Sequence, residues 1–287
     1  MGTLGQAWSN SGPEAGLPLT VGPTGVPINQ ATRKLALDRI REFNGTNDVY
    51  KWKIVLQFYV HLQCQCLFLS FGHGIYWQAI LTAATDTTTS TLIWALALML
   101  NNKQVMKKAQ EEIDINIGKE RQVEEPDMKN LVYLQAVIKE TLRLYPPVPL
   151  WLPHESTEEC TVGGYRIPKG TRLLLNLSKI HRDPQAWLDP SEFQPERFLT
   201  SDKEIDVRGQ NYELNPFGSG RRMCPGISLG LQVLQLTLAS LIHGFEFARP
   251  LNQPIDVTEC FGLTNLKATP PEVLLTPRLS PGLYGTN

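Results

Sequence analysis

The sequence has no excess of either charge, no internal repeat and no recognisable export signal. Its 287 residues carry 27 Lys and Arg against 28 Asp and Glu, which gives a formal net charge of −1. Nucleic-acid-binding proteins normally show a clear basic excess, so this balance argues against DNA or RNA as a partner. The first twenty residues hold neither a basic stretch nor an apolar one, and a secretory signal peptide needs both.

Cysteine is scarce and irregularly placed. The chain has five cysteines, at positions 64, 66, 160, 224 and 260. An odd and scattered set is a poor framework for disulfides. We therefore expect a reducing compartment and no disulfide partner.

Long uninterrupted apolar runs are also missing. The one candidate membrane segment, residues 54–76, is broken by five polar residues: Gln57, His61, Gln63, Gln65 and His73. Because a spanning helix needs about 20 mostly apolar residues, a buried or poorly ordered segment is the better interpretation.

The composition that remains is that of a globular protein with a sizeable core, since 42% of the residues are hydrophobic and 19% are charged. Residues 1–50 are rich in Gly, Pro, Asn and Thr, so we expect mostly irregular structure there, with one short helix around residues 31–43. From about residue 78 every segment carries a clear signal. The sequence thus divides into a largely irregular N-terminal segment, 1–77, and a structured part, 78–287.

The structured part predicts a mainly α fold with small β-sheets. Apolar residues recur at helical spacing in four stretches: residues 78–100, 101–118, 131–145 and 225–244. Gly118 is a plausible end for the second stretch. Residues 160–177 have β character, with Gly163-Gly164 as a two-residue hairpin turn, and the chain after Phe245 reads as strands and turns.

One cysteine lies in an unusual setting, the stretch PFGSGRRMCPG at residues 216–226. Glycines flank Cys224 on both sides and two arginines precede it. Pro225 fits the first position of the helix that follows, which would place the sulfur at the positive end of that helix. Such surroundings favour the thiolate.

A thiolate held by backbone N–H groups can be a redox nucleophile or a metal ligand. Zinc would need further ligands, and the loop around Cys224 contains no other Cys or His. A single thiolate suits a haem iron. The plain alternative is a helix-capping cysteine in a glycine-rich turn.

The spacing F-x-x-G-x-R-x-C-x-G, formed by Phe217, Gly220, Arg222, Cys224 and Gly226, resembles the haem-binding loop of the cytochrome P-450 superfamily. The resemblance implies that Cys224 is the thiolate ligand of haem b (iron protoporphyrin IX). It also implies that Arg222 pairs with a haem propionate, that Phe217 packs beneath the haem near the sulfur, and that Gly220 shapes the loop.

Two further stretches resemble that superfamily. Glu140 and Arg143 match its E-x-x-R motif, and on a helix this spacing places both on one face. Residues 193–198, FQPERF, resemble its meander motif, whose Arg197 would complete a buried cluster with Glu140 and Arg143. We assign this trio to folding and to the stability of the haem pocket.

Polar residues inside an apolar helix resemble the superfamily's oxygen-activation segment, residues 83–88. The resemblance implies that Asp86 relays protons and that Thr87 hydrogen-bonds at the oxygen site. A polar patch that bends the helix is the alternative, and both can hold. Ala84 stands where the superfamily usually has glycine.

Histidines give weaker signals. His154, in the stretch LPHE, occupies a position where the superfamily often places Arg or His beside a haem propionate. A partly exposed loop histidine is the equally weighted alternative. His181 is interpreted as structural.

The resemblance runs from residue 78 to about 285 and corresponds to the C-terminal half of the cytochrome P-450 fold. Residues 208–232 and 262–279 are most similar to plant A-type enzymes of family 82. Nothing in residues 1–77 matches, so we expect a truncated or mispredicted gene product. The strips expected to line the substrate site lie near Ala83, at 148–152 and at 261–264.

The activity implied is that of a haem-thiolate monooxygenase acting on a small hydrophobic plant metabolite such as a terpenoid, phenolic or alkaloid. Electrons would come from NADPH through NADPH–cytochrome P-450 reductase, with Arg221 at the docking edge, at the cytoplasmic face of the endoplasmic reticulum membrane. The alternatives are a non-catalytic haem-binding remnant and, less favoured, a haem-thiolate isomerase or dehydratase.

Overall fold

The computed structural model describes residues 50–51, 75–260 and 262–284. The predicted helix at 31–43, almost all of the segment 54–76, and Phe261 lie outside these residues.

A long central helix organises the described part of the chain. Helix α1 spans Ile75–Asn101, and every residue from Thr88 to Leu100 is buried. Such all-round burial is typical of a core helix. It contacts three other long helices: α2 (Lys103–Ile117), α3 (Val132–Leu144) and α5 (Ile227–Gly244). A short helix, α4, spans Leu177–Ile180.

Helix α5 follows the candidate ligand Cys224. Among the described residues it is the one helix long and apolar enough to cross a membrane, and its Leu234, Leu238 and Ile242 are buried in the core. The helix begins at Ile227 with Gly226 as its N-cap, so the prediction that Pro225 takes the first helical position is wrong. The physical reason is that Gly226, with φ of −92° and ψ of 8°, does not have helical backbone angles, and the first bond of helical type runs from the Gly230 N–H to the Gly226 carbonyl at 2.7 Å.

Within the described residues the strands form four small antiparallel sheets, so the predicted class, mainly α with small β-sheets, is confirmed. Three strands pair in the order β1-β9-β6, and the other six pair in twos, β2 with β5, β3 with β4 and β7 with β8. Their bounds are β1 Tyr50–Lys51, β2 His154–Glu155, β3 Cys160–Val162, β4 Tyr165–Ile167, β5 Arg172–Leu173, β6 Phe245–Ala248, β7 Glu259–Cys260, β8 Leu266–Lys267 and β9 Glu272–Pro277. Gly163 and Gly164 form the β3–β4 turn with φ of 56° and 83°, the positive values that a tight hairpin turn requires.

A buried charge cluster joins α3 to the long loop that follows α4. Arg143 donates to both carboxylate oxygens of Glu140 at 2.8 Å, and Arg197 donates to the same carboxylate at 3.2 Å. All three side chains are almost completely inaccessible to solvent. The structure thus brings together the three residues that the sequence assigned to pocket stability.

The cluster holds two positive charges against one negative charge, and backbone carbonyls compensate the difference. Five carbonyl oxygens accept hydrogen bonds from the two guanidinium groups: those of His181, Leu188, Asp189, Pro190 and Glu192. The ring of Trp187 lies 5.1 Å from the guanidinium carbon of Arg143 and 5.9 Å from that of Arg197. Because the carbonyls belong to the loop 181–192, satisfying the charges also fixes that loop.

His181 transmits this arrangement to the loop that carries Cys224. Its ring is fully buried, and its Nε2 accepts the backbone N–H of Asn215 at 3.0 Å, immediately before the loop 216–226. Burial, together with the positive charges of Arg143 and Arg182, lowers the pKa of His181 to about 4. His181 is therefore neutral in the folded protein at ordinary pH, and its role here is structural.

Replacing Glu140 by Gln should destabilise the fold severely, because two buried guanidinium groups would lose their only carboxylate partner. We expect the free energy of unfolding, measured by urea denaturation, to fall by about 3–5 kcal/mol. The matched control is Glu159→Gln, because Glu159 also makes a two-pronged pair with an arginine, Arg166, but on the exposed surface. The control should resemble the unsubstituted protein. Equal effects from the two substitutions would contradict a special role for the buried cluster.

Stability should also depend on the charge state of His181. Above the unfolded-state pKa of about 6.5 the ring is neutral in both states, so its contribution is fully present. As the pH falls from there towards the folded-state pKa of about 4, the unfolded chain takes up the proton first, and stability drops by up to roughly 3 kcal/mol. His181→Gln keeps an acceptor but cannot titrate, so its free energy of unfolding should fall less steeply over this range. Parallel curves for the two proteins would refute this assignment.

Candidate functional site

The loop 216–226 folds back on itself and displays the sulfur of Cys224. The backbone N–H groups of Gly218, Met223 and Cys224 donate to the carbonyls of Asn215, Gly220 and Phe217 at 3.2, 3.2 and 2.8 Å respectively. Gly218 and Gly220 have φ of 74° and 67°, a region that side-chain-bearing residues rarely adopt. Cys224 is a free, partly exposed thiol just before the N-terminus of α5.

The two positive-φ glycines differ in what surrounds them. A methyl group at Gly218 would overlap the indole ring of Trp151, whereas one at Gly220 would meet nothing within 4 Å. The loop is therefore closed by Trp151 on one side and open on the other. The glycines provide flat backbone against which a planar group can lie.

The donor set at this loop fits a haem better than a metal ion held by several side chains. Within the described ranges, no three His, Cys, Asp or Glu side chains come together in a group that could hold a metal ion. Cys224 offers one sulfur, which is the protein ligand that a haem-thiolate centre needs. Zinc would require additional ligands.

Basic and aromatic side chains flank the sulfur. Arg221 and Arg222 are exposed on a single 3₁₀ turn, Gly220–Arg222. A guanidinium group placed there can bind a carboxylate through two parallel hydrogen bonds. Phe217 is partly buried and packs against the hydrophobic core, which anchors the start of the loop.

His154 lies at the edge of the same site. It is exposed on β2, and its Nε2 accepts the indole N–H of Trp151 at 3.2 Å. The two rings are nearly perpendicular, at 88°. Because the Trp151 ring also lies against Gly218, the structure links His154 to the cysteine loop through one side chain.

Asp86 and Thr87 are partly exposed on α1, shortly after the exposed residues 82–84. The Thr87 hydroxyl donates to the carbonyl of Ala83 at 2.7 Å, one turn earlier. Its oxygen still has lone pairs that can accept a hydrogen bond. Thr91 donates to the carbonyl of Thr87 at 2.9 Å in the same way. These bonds from side chain to backbone are the local pattern expected for a polar patch within a helix.

Asn265 links α1 to Pro147, which immediately precedes the predicted substrate-site residues 148–152. Its carbonyl accepts hydrogen bonds from Ser90 and from the Trp94 indole, both on α1, and its N–H donates to the carbonyl of Pro147 at 2.9 Å. Three leucines nearby in sequence are more than half exposed: Leu150, Leu152 and Leu263. These leucines lie on the two segments that Asn265 and Pro147 join.

Sequence reasoning missed two residues that shape the site. Trp151 was noted only as part of an apolar strip, although a tryptophan three residues before a histidine carries a donor that can reach it. Asn215 had no signal at all, because its contact with His181 joins positions 34 residues apart.

Comparison with known proteins identifies the family. The family model described as Cytochrome P450 matches residues 77–274. The chain is 58% identical to "Cytochrome P450 82A2" of Glycine max and 58% identical to "Flavonoid-6-hydroxylase" of Mentha piperita, in each case over 71% of this chain and 39% or 40% of the relative. It is 56% identical to "Xanthotoxin 5-hydroxylase CYP82C4" of Arabidopsis thaliana, over 72% of this chain and 40% of that protein.

The chain thus spans about two fifths of the length of these relatives. The fold is also similar to solved structures. A zebrafish cytochrome P450 described with progesterone superposes with a TM-score of 0.72 at 22% identity, covering 87% of this chain and 77% of that one. A second zebrafish structure, described with abiraterone, gives the same TM-score at 23% identity. These likenesses confirm the predicted partial P450 fold, and the resemblance to plant family 82 is confirmed by the relatives. The chain belongs to the cytochrome P450 family.

Proposed function

We propose that this chain holds haem b on Cys224 and serves as a haem-thiolate monooxygenase. The observation that carries the proposal is one free, partly exposed thiol in a glycine-rich loop that closes on itself through backbone hydrogen bonds just before α5. Haem b is the cofactor of the family, and when bound to a thiolate it uses dioxygen and two electrons to place one oxygen atom in an organic substrate.

The residues around the loop would fix the position of the haem. Cys224 would supply the ligand from the loop just before α5. Arg222 is exposed two residues before Cys224 and His154 is exposed on β2, and both would donate hydrogen bonds to the carboxylates of the cofactor. Phe217 anchors the loop to the core, and Gly220 leaves backbone open to a flat group.

Asp86 and Thr87 would hold and transfer the protons that oxygen activation requires. Asp86 is partly exposed and so can exchange protons with solvent. Thr87 lies next to it on α1. Its hydroxyl donates to the carbonyl of Ala83, and its oxygen can accept a further hydrogen bond. This pair also argues against the isomerase or dehydratase alternative, because such reactions require no proton delivery to oxygen.

The substrate class follows from the apolar strip and from the relatives. Leu150, Leu152 and Leu263 are more than half exposed, and such apolar surface suits a small hydrophobic molecule. The relatives carry names of enzymes for oxygenated aromatic compounds, among them a flavonoid 6-hydroxylase and a xanthotoxin 5-hydroxylase. We therefore place a phenolic plant metabolite ahead of a terpenoid or an alkaloid.

The electron donor would be NADPH–cytochrome P450 reductase. Arg221 is exposed within the loop 216–226, where a positive side chain can face an acidic partner. The cytoplasmic face of the endoplasmic reticulum membrane, where the family's plant members are generally anchored, is the location that we propose.

Carbon-monoxide difference spectra of the reduced, haem-loaded protein test the ligand directly. The unsubstituted protein should show the strongly red-shifted Soret band of thiolate-bound haem, and Cys224→Ser should lose it. Cys160→Ser is the matched control, because Cys160 is also a free cysteine but lies exposed on β3. Retention of the band in Cys224→Ser, or its loss in Cys160→Ser, would rule out Cys224 as the ligand.

Replacing Thr87 by Val keeps the shape of the side chain and removes its hydroxyl. With NADPH, reductase and a phenolic substrate, we expect the Soret band to be unchanged and the product formed per NADPH to fall roughly tenfold or more, with hydrogen peroxide released instead. Thr82→Val removes a hydroxyl from an exposed position on the same helix and should have no such effect. A normal spectrum without turnover in the unsubstituted protein would favour the alternative, a haem-binding protein that is not catalytic.

A further inference from the structure

Trp151 occupies the junction between the cysteine loop and the strand that carries His154. Its backbone N–H donates to the carbonyl of Leu175 at 2.9 Å, which fixes the start of the side chain. Its ring is partly buried and lies so close to the Cα of Gly218 that no side chain could be added there. Trp151 is therefore held through its backbone N–H and through the contact of its ring with Gly218.

The hydrogen bond from this indole determines which nitrogen of His154 carries the proton. An indole N–H can only donate, so the Nε2 of His154, 3.2 Å away, must be the acceptor. A neutral imidazole has one N–H and one lone pair. With its lone pair at Nε2 engaged by Trp151, the ring carries its proton at Nδ1.

We propose that Trp151 is a positioning residue that holds His154 in the Nδ1–H form and at the edge of the cysteine loop. The proposal rests on the proposed haem-binding function, because the partner of His154 would be a carboxylate of the haem. An ionised carboxylate only accepts hydrogen bonds, so the imidazole must offer it an N–H. Trp151 ensures that the nitrogen left free by the indole is the one bearing the proton.

Packing alone would not produce this effect, and the difference can be measured. Phenylalanine at position 151 would keep an aromatic ring at this junction but would donate nothing to His154. A purely structural role for Trp151 therefore predicts little change in Trp151→Phe. A positioning role predicts a change in the protonation pattern of the imidazole and in the affinity for haem.

The experiment compares the full-length chain with its Trp151→Phe variant. Nitrogen-15 NMR of the imidazole, recorded before haem loading, should show the proton of His154 on Nδ1 in the unsubstituted protein and a shift of population towards Nε2 in the variant. Haem titration followed at the Soret band should give a dissociation constant roughly tenfold higher in the variant, the loss expected for one hydrogen bond to a charged group.

Two further variants separate this effect from general damage. Trp94→Phe removes an indole hydrogen bond to Asn265, away from His154, and should leave the tautomer of His154 unchanged. In a His154→Ala background, Trp151→Phe should have no additional effect on haem affinity, because Trp151 acts through His154.

The proposal is overturned if the tautomer of His154 is the same in both proteins. It is equally overturned if haem affinity is unchanged by Trp151→Phe, or falls as much without His154 as with it. Failure of the proposed function would look different, because the unsubstituted protein would then show no thiolate-type band with carbon monoxide, whatever the tautomer.

Discussion

The ion cluster of Glu140, Arg143 and Arg197 is the interaction on which the rest of the structure depends. Three charges out of contact with water are tolerable only when every donor and acceptor is paired. The pairing recruits five backbone carbonyls from the loop 181–192 and the ring of Trp187. Through His181, which accepts the Asn215 N–H, the same network determines where the cysteine loop begins. Hydrogen bonds and ion pairs far from the sulfur therefore help to position the loop that carries it.

Separate hydrogen bonds hold the cysteine loop, residues 216–226, and helix α1. The cysteine loop is anchored by Asn215 and by the turn that closes from Cys224 to Phe217. On α1, Ser90 and Trp94 both donate to the carbonyl of Asn265. Trp151 bridges the cysteine loop and the strand after α3, so a change at that residue is expected to alter both geometry and chemistry.

The sequence predicted what is periodic or local and missed what is joined only by folding. Helices α1, α2, α3 and α5 and the Gly163-Gly164 hairpin follow from apolar spacing and turn chemistry. The pairing of Glu140 with Arg143 follows from their spacing, whereas Arg197 could be added only through resemblance to a family, since 57 residues separate it from Glu140. The predicted start of α5 is two residues early because apolar spacing does not reveal the non-helical backbone angles of Gly226. The contacts of Trp151 and of Asn215 required the tertiary structure.

Native-state hydrogen exchange at the Asn215 amide tests most directly whether the buried cluster holds the cysteine loop in place. The account predicts that this amide, donated to a buried His181, exchanges as slowly as the interior amides of α3. Exchange of the Asn215 amide at the rate of the exposed Arg221 and Arg222 amides, with α3 still protected, would show that the loop opens independently of the cluster and would contradict the account.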